Sequence, residues 1–169
     1  MSPPKPVLIV MGVSGAGKST VGRALATRLG WAFQEGDDLH PPANITKMSA
    51  GVPLTAEDRA PWLAAVGAWI DRCIAQGGGG AVTCSALKAA YRRTLTTGRP
   101  AVRLVYLEGS RALIAERMAD RTGHFMPLSL VDSQFADLEP PTMEEGAIVV
   151  AADRPIESQV EAVIKALDS

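Results

Sequence analysis

Residues 7–20 read VLIVMGVSGAGKST, and how they are read decides the fold. VLIVMG is a continuous apolar run rich in branched side chains, the pattern of a strand buried on both faces. GVSGAGKST, from Gly12 to Thr20, fits G-x-x-x-x-G-K-[ST]. Between an apolar strand and a helix, that pattern is a phosphate-binding loop. The small residues Gly12, Ser14, Gly15, Ala16 and Gly17 let backbone N–H groups converge on phosphate oxygens. The start of the helix, Lys18, Ser19 and Thr20, adds its partial positive charge. Lys18 would neutralise the β- and γ-phosphates of a bound triphosphate such as ATP, and the Ser19 hydroxyl would ligate Mg²⁺. The bland alternative is a glycine-rich turn with a chance lysine, and it must treat both pattern and context as coincidence. The loop says nothing about the acceptor.

Working outward, a helix is expected from Lys18 to Leu29, and WAFQEG reads as a second strand. PPANITKMSAG reads as a short helix opened by proline and closed by Gly51. Trp62, Ala65, Val66, Trp69, Ile70 and Cys73 recur at helical spacing. Thr55 with Asp58 three residues on suggests a capping box, whereas Pro61 argues for a later start or a kink. GGGG (77–80) releases the chain into a third strand, AVTCSA, and Ser85 would cap a helix over about 86–96. VRLVYLEG (102–109) is a fourth strand, followed by a helix capped by Ser110 and running to about Arg121. Residues 122–133 show no clear period and read as a loop, a candidate mobile lid. AIVVAA (147–152) is a fifth strand, and Pro155 opens a last helix. Strands alternate with helices and no hairpin turn appears. The expected fold is therefore α/β, three layers αβα around a parallel five-stranded sheet of the phosphate-loop type. One domain over 1–169 is expected.

Composition narrows the functional classes. The chain has 169 residues, 47% of them hydrophobic and 21% charged, enough apolar material for one sizeable core. A formal net charge of −1 gives no electrostatic case for nucleic acid or an anionic membrane. No apolar run approaches the roughly 18 residues that span a bilayer. The N-terminal apolar run leads into the glycine loop, so it reads as a strand and not a signal peptide. Cys73 and Cys84 have no metal-binding spacing, and two thiols in a well-cored domain suit a reduced, cytosolic setting.

The acceptor side must come from elsewhere. No N-K-x-D guanine motif is present, and D-R-T-G (120–123) follows a helix, not a strand. No Walker-B acid ends the third strand. The acids that stand out follow the second strand, in QEGDDLHP (34–41). Asp37 there would orient an acceptor hydroxyl, take its proton and hold a Mg²⁺ water. The alternative is a solvated acidic turn. His40 would donate to a substrate oxygen or cap the next helix. In SALKAAYRR (85–93), Lys88 near a helix start and Arg92 four residues on place two cations where the dipole disfavours them. An anionic acceptor would reverse that cost, and a basic solvated face is the alternative. Lys47 and Arg59 would add to the same pocket. Arg117 and Arg121 close a helix before the lid. One would stack on adenine and the other would meet the transferring phosphate.

These segments together resemble a known family. GVSGAGKST, GDDLHPPANITKM, DRAPWL, CSALKAAYR and RTGHFMPLSLVDSQFADLEPP look like gluconokinase, of the adenylate-kinase-like phosphate-loop kinases, from about residue 8 to 141. The resemblance implies Mg²⁺-dependent transfer from ATP to the terminal hydroxyl of D-gluconate, giving 6-phospho-D-gluconate. It also implies a cytoplasmic setting, a lid and a homodimer. It assigns catalysis to Lys18 and Asp37, and the metal to Ser19 and Asp37. Substrate contacts would come from Asp37, His40, Lys47, Arg59, Lys88, Arg92, His124 and Gln134. The residue after the first aspartate of the motif is variable, so Asp38 receives no role. Two rivals stand: a kinase for another small anion such as shikimate, and a nucleotide-binding regulatory module without turnover.

Overall fold

Five residues with large apolar side chains, Val7–Met11, form β1, and none of them is solvent-exposed. The computed structural model describes residues 5–120 and 128–168. Within them β2 is Ala32–Gln34, β3 Gly80–Thr83, β4 Val102–Glu108 and β5 Ile148–Ala151. They form one sheet in the order β2-β3-β1-β4-β5, and every pair is parallel. The helices are α1 (Lys18–Leu29), α2 (Pro42–Ser49), α3 (Ala56–Ala75), α4 (Ala89–Thr96), α5 (Arg111–Asp120), α6 (Leu128–Asp137) and α7 (Ile156–Leu167).

The alternation of side chains along β1 divides the core in two. Leu8 and Val10 point to one face, where they join Val21 and Leu25 of α1, Ile114 of α5, Val131 of α6 and Val160 and Val163 of α7. Val7, Ile9 and Met11 point to the other, against Trp62, Val66 and Ile70 of α3 and Leu95 of α4. This is the expected three-layer αβα arrangement. Burial of each such side chain contributes about 1.5–3 kcal/mol. Because β1 is central, the carboxyl ends of β1, β2 and β3 meet at one edge of the sheet, where parallel α/β sheets bind ligands. Among the described residues no helix is long and apolar enough to cross a membrane. Both cysteines are free and buried, and burial pushes the Cys84 thiol up to about 12, as packing thiols require.

Three boundaries differ from the sequence reading. First, α3 begins at Ala56 and runs through Pro61. The capping box sets that start: Asp58 N donates to Thr55 Oγ1 at 3.1 Å and Thr55 N donates to Asp58 Oδ2 at 2.9 Å. Second, residues 128–133 are not loop but the first part of α6, whose Val131 is buried and whose Phe135 packs one turn on. The rest of the expected lid, with Arg121 and His124, lies outside the described residues.

Third, the helix expected from about Ala86 begins at Ala89, with Lys88 as its N-cap. Ala86 has φ +46, a left-handed conformation that no α-helix tolerates. The carbonyls of Ala86 and Leu87 instead accept from Arg92 Nη1 at 2.8 and 3.2 Å. Arg92 is only 1% exposed and makes a two-pronged contact with Glu145, at 2.6 and 3.2 Å. The expectation that Lys88 and Arg92 share one helix face and await an anionic acceptor is thus corrected: Arg92 is buried, and its charge is balanced by a carboxylate of the chain itself.

Removing the guanidinium takes the donor from Glu145 Oε1 and from the Ala86 carbonyl, while Glu145 Oε2 keeps Thr142 N and the Leu87 carbonyl keeps Glu139 N. Arg92→Met is expected to cost about 2–3 kcal/mol in urea unfolding at neutral pH. Arg92 holds the Glu145 carboxyl below its usual range through their hydrogen bonds. Such a contribution is present above the unfolded carboxylate's pKa and lost as pH falls through the folded one. The difference between parent and variant should therefore shrink on acidification.

Candidate active site

The turn from β1 into α1 is built on three glycines with positive φ: Gly12 at +147, Gly15 at +87 and Gly17 at +96. Gly17 is the N-cap of α1 and supplies no side chain, so the first amides of the helix stay free for a ligand. Lys18 Nζ curls back over the loop and donates to the carbonyls of Gly12 (2.8 Å) and Val13 (3.2 Å). Burial lowers its pKa, and Asp37 is the strongest of the groups that oppose this. The loop thus holds a poorly solvated cation whose most effective partner would be an anion.

Ser19 Oγ donates to Glu35 Oε1 at 2.6 Å. The same carboxylate oxygen accepts from Thr83 Oγ1 at 2.7 Å, and Arg23 lies 3.7 Å from Glu35 Oε2. Glu35 was missed by the sequence reading, which looked past it to the paired aspartates. Its position at the end of the second strand, before a glycine, was the available signal. With its O–H directed at Glu35, the Ser19 oxygen keeps lone pairs for a metal. A hydroxyl with carboxylates nearby is a hard oxygen set of the kind Mg²⁺ takes alongside phosphates and water. The donor chemistry therefore fits the implied ion, although no group of three His, Cys, Asp or Glu side chains gathers among the described residues.

Gly36–Leu39 form a 3-10 turn after β2. Asp37 and Asp38 are both exposed. Asp37 lines a cleft of about 380 Å³, a size typical of small-molecule sites, and Asp38 does not line it. Ser14, Lys18, His40, Arg59, Gln134 and Asp137 line the same cleft, with Trp62, Leu87 and Val52 among its apolar walls. His40 is buried, its ring stacked on Trp62. Desolvation lowers its pKa, Asp37 works against that shift and Arg59 with it. Arg59 Nη1 donates to Tyr91 Oη at 3.1 Å, and its guanidinium lies over the Tyr91 ring.

Other expected residues are engaged elsewhere. Lys47 Nζ binds Asp58 Oδ2 at 2.7 Å, which holds the Asp58 carboxyl down at about 2. Lys88 does not line the cleft. Arg92 is committed to Glu145. Arg117 braces the loop from behind, donating to the carbonyls of Gly15 (3.1 Å), Ala16 (3.3 Å) and Ala152 (2.6 Å). Gln134 of α6 does reach the loop: its Oε1 accepts from Ser14 N at 2.6 Å and its Nε2 donates to Ser14 Oγ at 2.9 Å.

Comparison with known proteins adds identity to this geometry. A family model described as shikimate kinase matches residues 14–167. The gluconokinase of Gluconobacter oxydans (strain 621H) is 49% identical over 158 residues, covering 94% of this chain and 89% of the relative. The crystal structure of a gluconokinase from Sinorhizobium meliloti 1021 superposes with a TM-score of 0.87 at 46% identity, covering 99% of this chain and 94% of that one. An unliganded sugar kinase from Janibacter sp. HTCC2649 superposes with a TM-score of 0.91 at 43% identity, covering 98% and 95%.

Lys18 is costly to bury and holds up no part of either apolar core. Lys18→Ala is expected to retain or slightly raise the melting temperature. It should lose on the order of 3 kcal/mol or more of transition-state stabilisation for phosphoryl transfer. Calorimetry and single-turnover transfer on the same preparation check both halves.

Proposed function

The chain belongs to the gluconokinase family and also matches the shikimate kinase model, and on that basis we propose how it works. It catalyses ATP-dependent phosphorylation of D-gluconate to 6-phospho-D-gluconate. The observation that carries the mechanism is one cleft lined by a phosphate-loop lysine, an exposed aspartate and an arginine: Lys18, Asp37 and Arg59.

The amides of Gly12–Thr20 cradle the phosphates of ATP, and Lys18 follows the charge that develops as the γ-phosphoryl group leaves. Ser19 and Asp37 would hold Mg²⁺, with Glu35 accepting the Ser19 hydrogen bond. The ion, when bound, offsets the negative charge shared by the β- and γ-phosphates. Asp37 accepts the proton of the terminal hydroxyl of gluconate as its oxygen attacks phosphorus and the bond to the ADP oxygen breaks. Arg59 is the cation available to the gluconate carboxylate. It takes the part that the sequence reading gave to Lys88 and Arg92, since neither of those lines the cleft. The rim residues Gln134 and Ser14 are bonded to each other, and ATP would have to replace Gln134 at Ser14 N.

The match to the shikimate kinase model makes phosphorylation of shikimate the second reading. Both acceptors carry a carboxylate and a reacting hydroxyl. The identity of 49% over nearly the whole chain favours gluconate.

Asp37 and Asp38 separate the mechanistic claim from a generic acidic turn. Asp37→Asn keeps size but cannot take a proton, and kcat with gluconate should fall by about 10²–10⁴. Asp38→Asn should stay within a few-fold of the parent, because Asp38 does not line the cleft. Steady-state kinetics on both variants, with circular dichroism to verify folding, checks this. A dead Asp38→Asn beside an active Asp37→Asn would sink the assignment.

A further inference from the structure

His40 has two ring nitrogens, and each faces a different neighbour. Its ring lies 4.2 Å from that of Trp62 and 14° from parallel, and its side chain is 4% exposed. Nδ1 is 3.2 Å from Asn44 Nδ2. The same Asn44 nitrogen donates to the Asp58 carbonyl oxygen at 2.8 Å. A peptide carbonyl can only accept, so the Asn44 atom facing it must be the amide nitrogen. The second hydrogen of that NH₂ group then goes to His40, whose Nδ1 must be the acceptor. In a neutral imidazole the remaining proton sits on Nε2. Nε2 lies 3.9 Å from Asp37 Oδ1. That is longer than a hydrogen bond, and a small rotation of the exposed carboxylate would close it.

We propose that Asn44 is a positioning residue for phosphoryl transfer, holding His40 Nδ1 as an acceptor so that Nε2–H stays a fixed donor toward the Asp37 carboxylate. His40 is then never the base. Its Nδ1 lone pair is occupied by Asn44 and its Nε2 already carries a proton, so proton acceptance falls to Asp37. A doubly protonated ring would turn an N–H of Nδ1 onto the Asn44 NH₂ group, donor against donor, so this arrangement requires the neutral ring. The far end of the relay is firm. Asp58, whose carbonyl orients Asn44, is fixed by the Thr55 capping box and by Lys47. The chain of contacts thus runs from the start of α3 through α2 to the transfer acid. This inference rests on the assignment of Asp37 as the base.

The test uses the full chain labelled with ¹⁵N-histidine. It contains two histidines, so a His40→Phe spectrum assigns the signals. The parent should show a protonated Nε2 and a bare Nδ1 at neutral pH. A parent spectrum with the proton on Nδ1 would overturn the proposal with no variant needed. Asn44→Ala should release the tautomer and lower kcat by about ten- to hundredfold, the worth of one hydrogen bond to a charged group, with KM for ATP unchanged. In the His40→Phe background the same Asn44→Ala change should have no further effect on kcat, because the relay acts through His40. Equal slowing in both backgrounds would mean that Asn44 is merely structural, and the proposal fails. The base assignment fails separately: an active Asp37→Asn defeats it whatever the spectrum shows. A dead Asp37→Asn beside a parent with protonated Nδ1 defeats only the relay.

Discussion

Gly36 lies so close to β3 that a methyl group built on it would sit 1.7 Å from the Thr83 carbonyl oxygen, and the geometry of the whole cleft follows from that approach. Its N–H donates to Thr83 Oγ1 at 3.0 Å, and its carbonyl accepts from Trp62 Nε1 at 2.8 Å. Thr83 in turn donates to Glu35, which also accepts from Ser19. Gly36 therefore ties the end of β2 to β3 and to α3, and the Thr83–Glu35–Ser19 bonds extend the tie to the start of α1. Asp37 is the next residue. Its distance from the phosphate loop is set by backbone packing, and only glycine permits that packing.

Charge is arranged around this junction so that ligands complete it. Lys18 is buried among backbone carbonyls, and its solvation is poor. Arg59 is held by Tyr91, and among the described residues no carboxylate is in hydrogen-bond contact with it. By contrast Arg92, Arg99 and Arg111 each meet an acid directly: Glu145, Asp71 and Asp132. The distinction separates cations that hold the fold from cations that await an anion. A triphosphate at Lys18 and a carboxylate at Arg59 fit the second kind.

Much of this was legible in the sequence. The VLIVM run, the glycine loop and the alternation of apolar strands with helices led to a parallel αβα sheet because each signal is local. The Thr55–Asp58 box was legible for the same reason. The reading failed where a distant partner decides the outcome. Nothing in SALKAAYRR says that Glu145 waits for Arg92, or that Ala86 turns left-handed and delays α4 to Ala89. The start of α6 was hidden because its apolar spacing, Val131 to Phe135, straddles the end of the segment read as loop. In the sequence nothing distinguishes Glu35 from Asp37 and Asp38, the acids that follow Gly36. Its bonds to Ser19 and Thr83 exist only once three elements meet.

One cleft takes a small polyol carboxylate and phosphorylates it at the end away from the carboxylate. The most direct measurement is ADP release by the unmodified protein with Mg-ATP across gluconate, its uncharged polyol counterpart glucitol, and shikimate, with the product's phosphate located by ³¹P–¹H NMR. Rapid turnover is expected with gluconate alone, with the phosphate on the terminal carbon. Loss of the carboxylate should cost glucitol about ten- to hundredfold in kcat/KM, as for a hydrogen bond to a charged group. Turnover of shikimate above that of gluconate, or equal use of glucitol, would contradict that specificity.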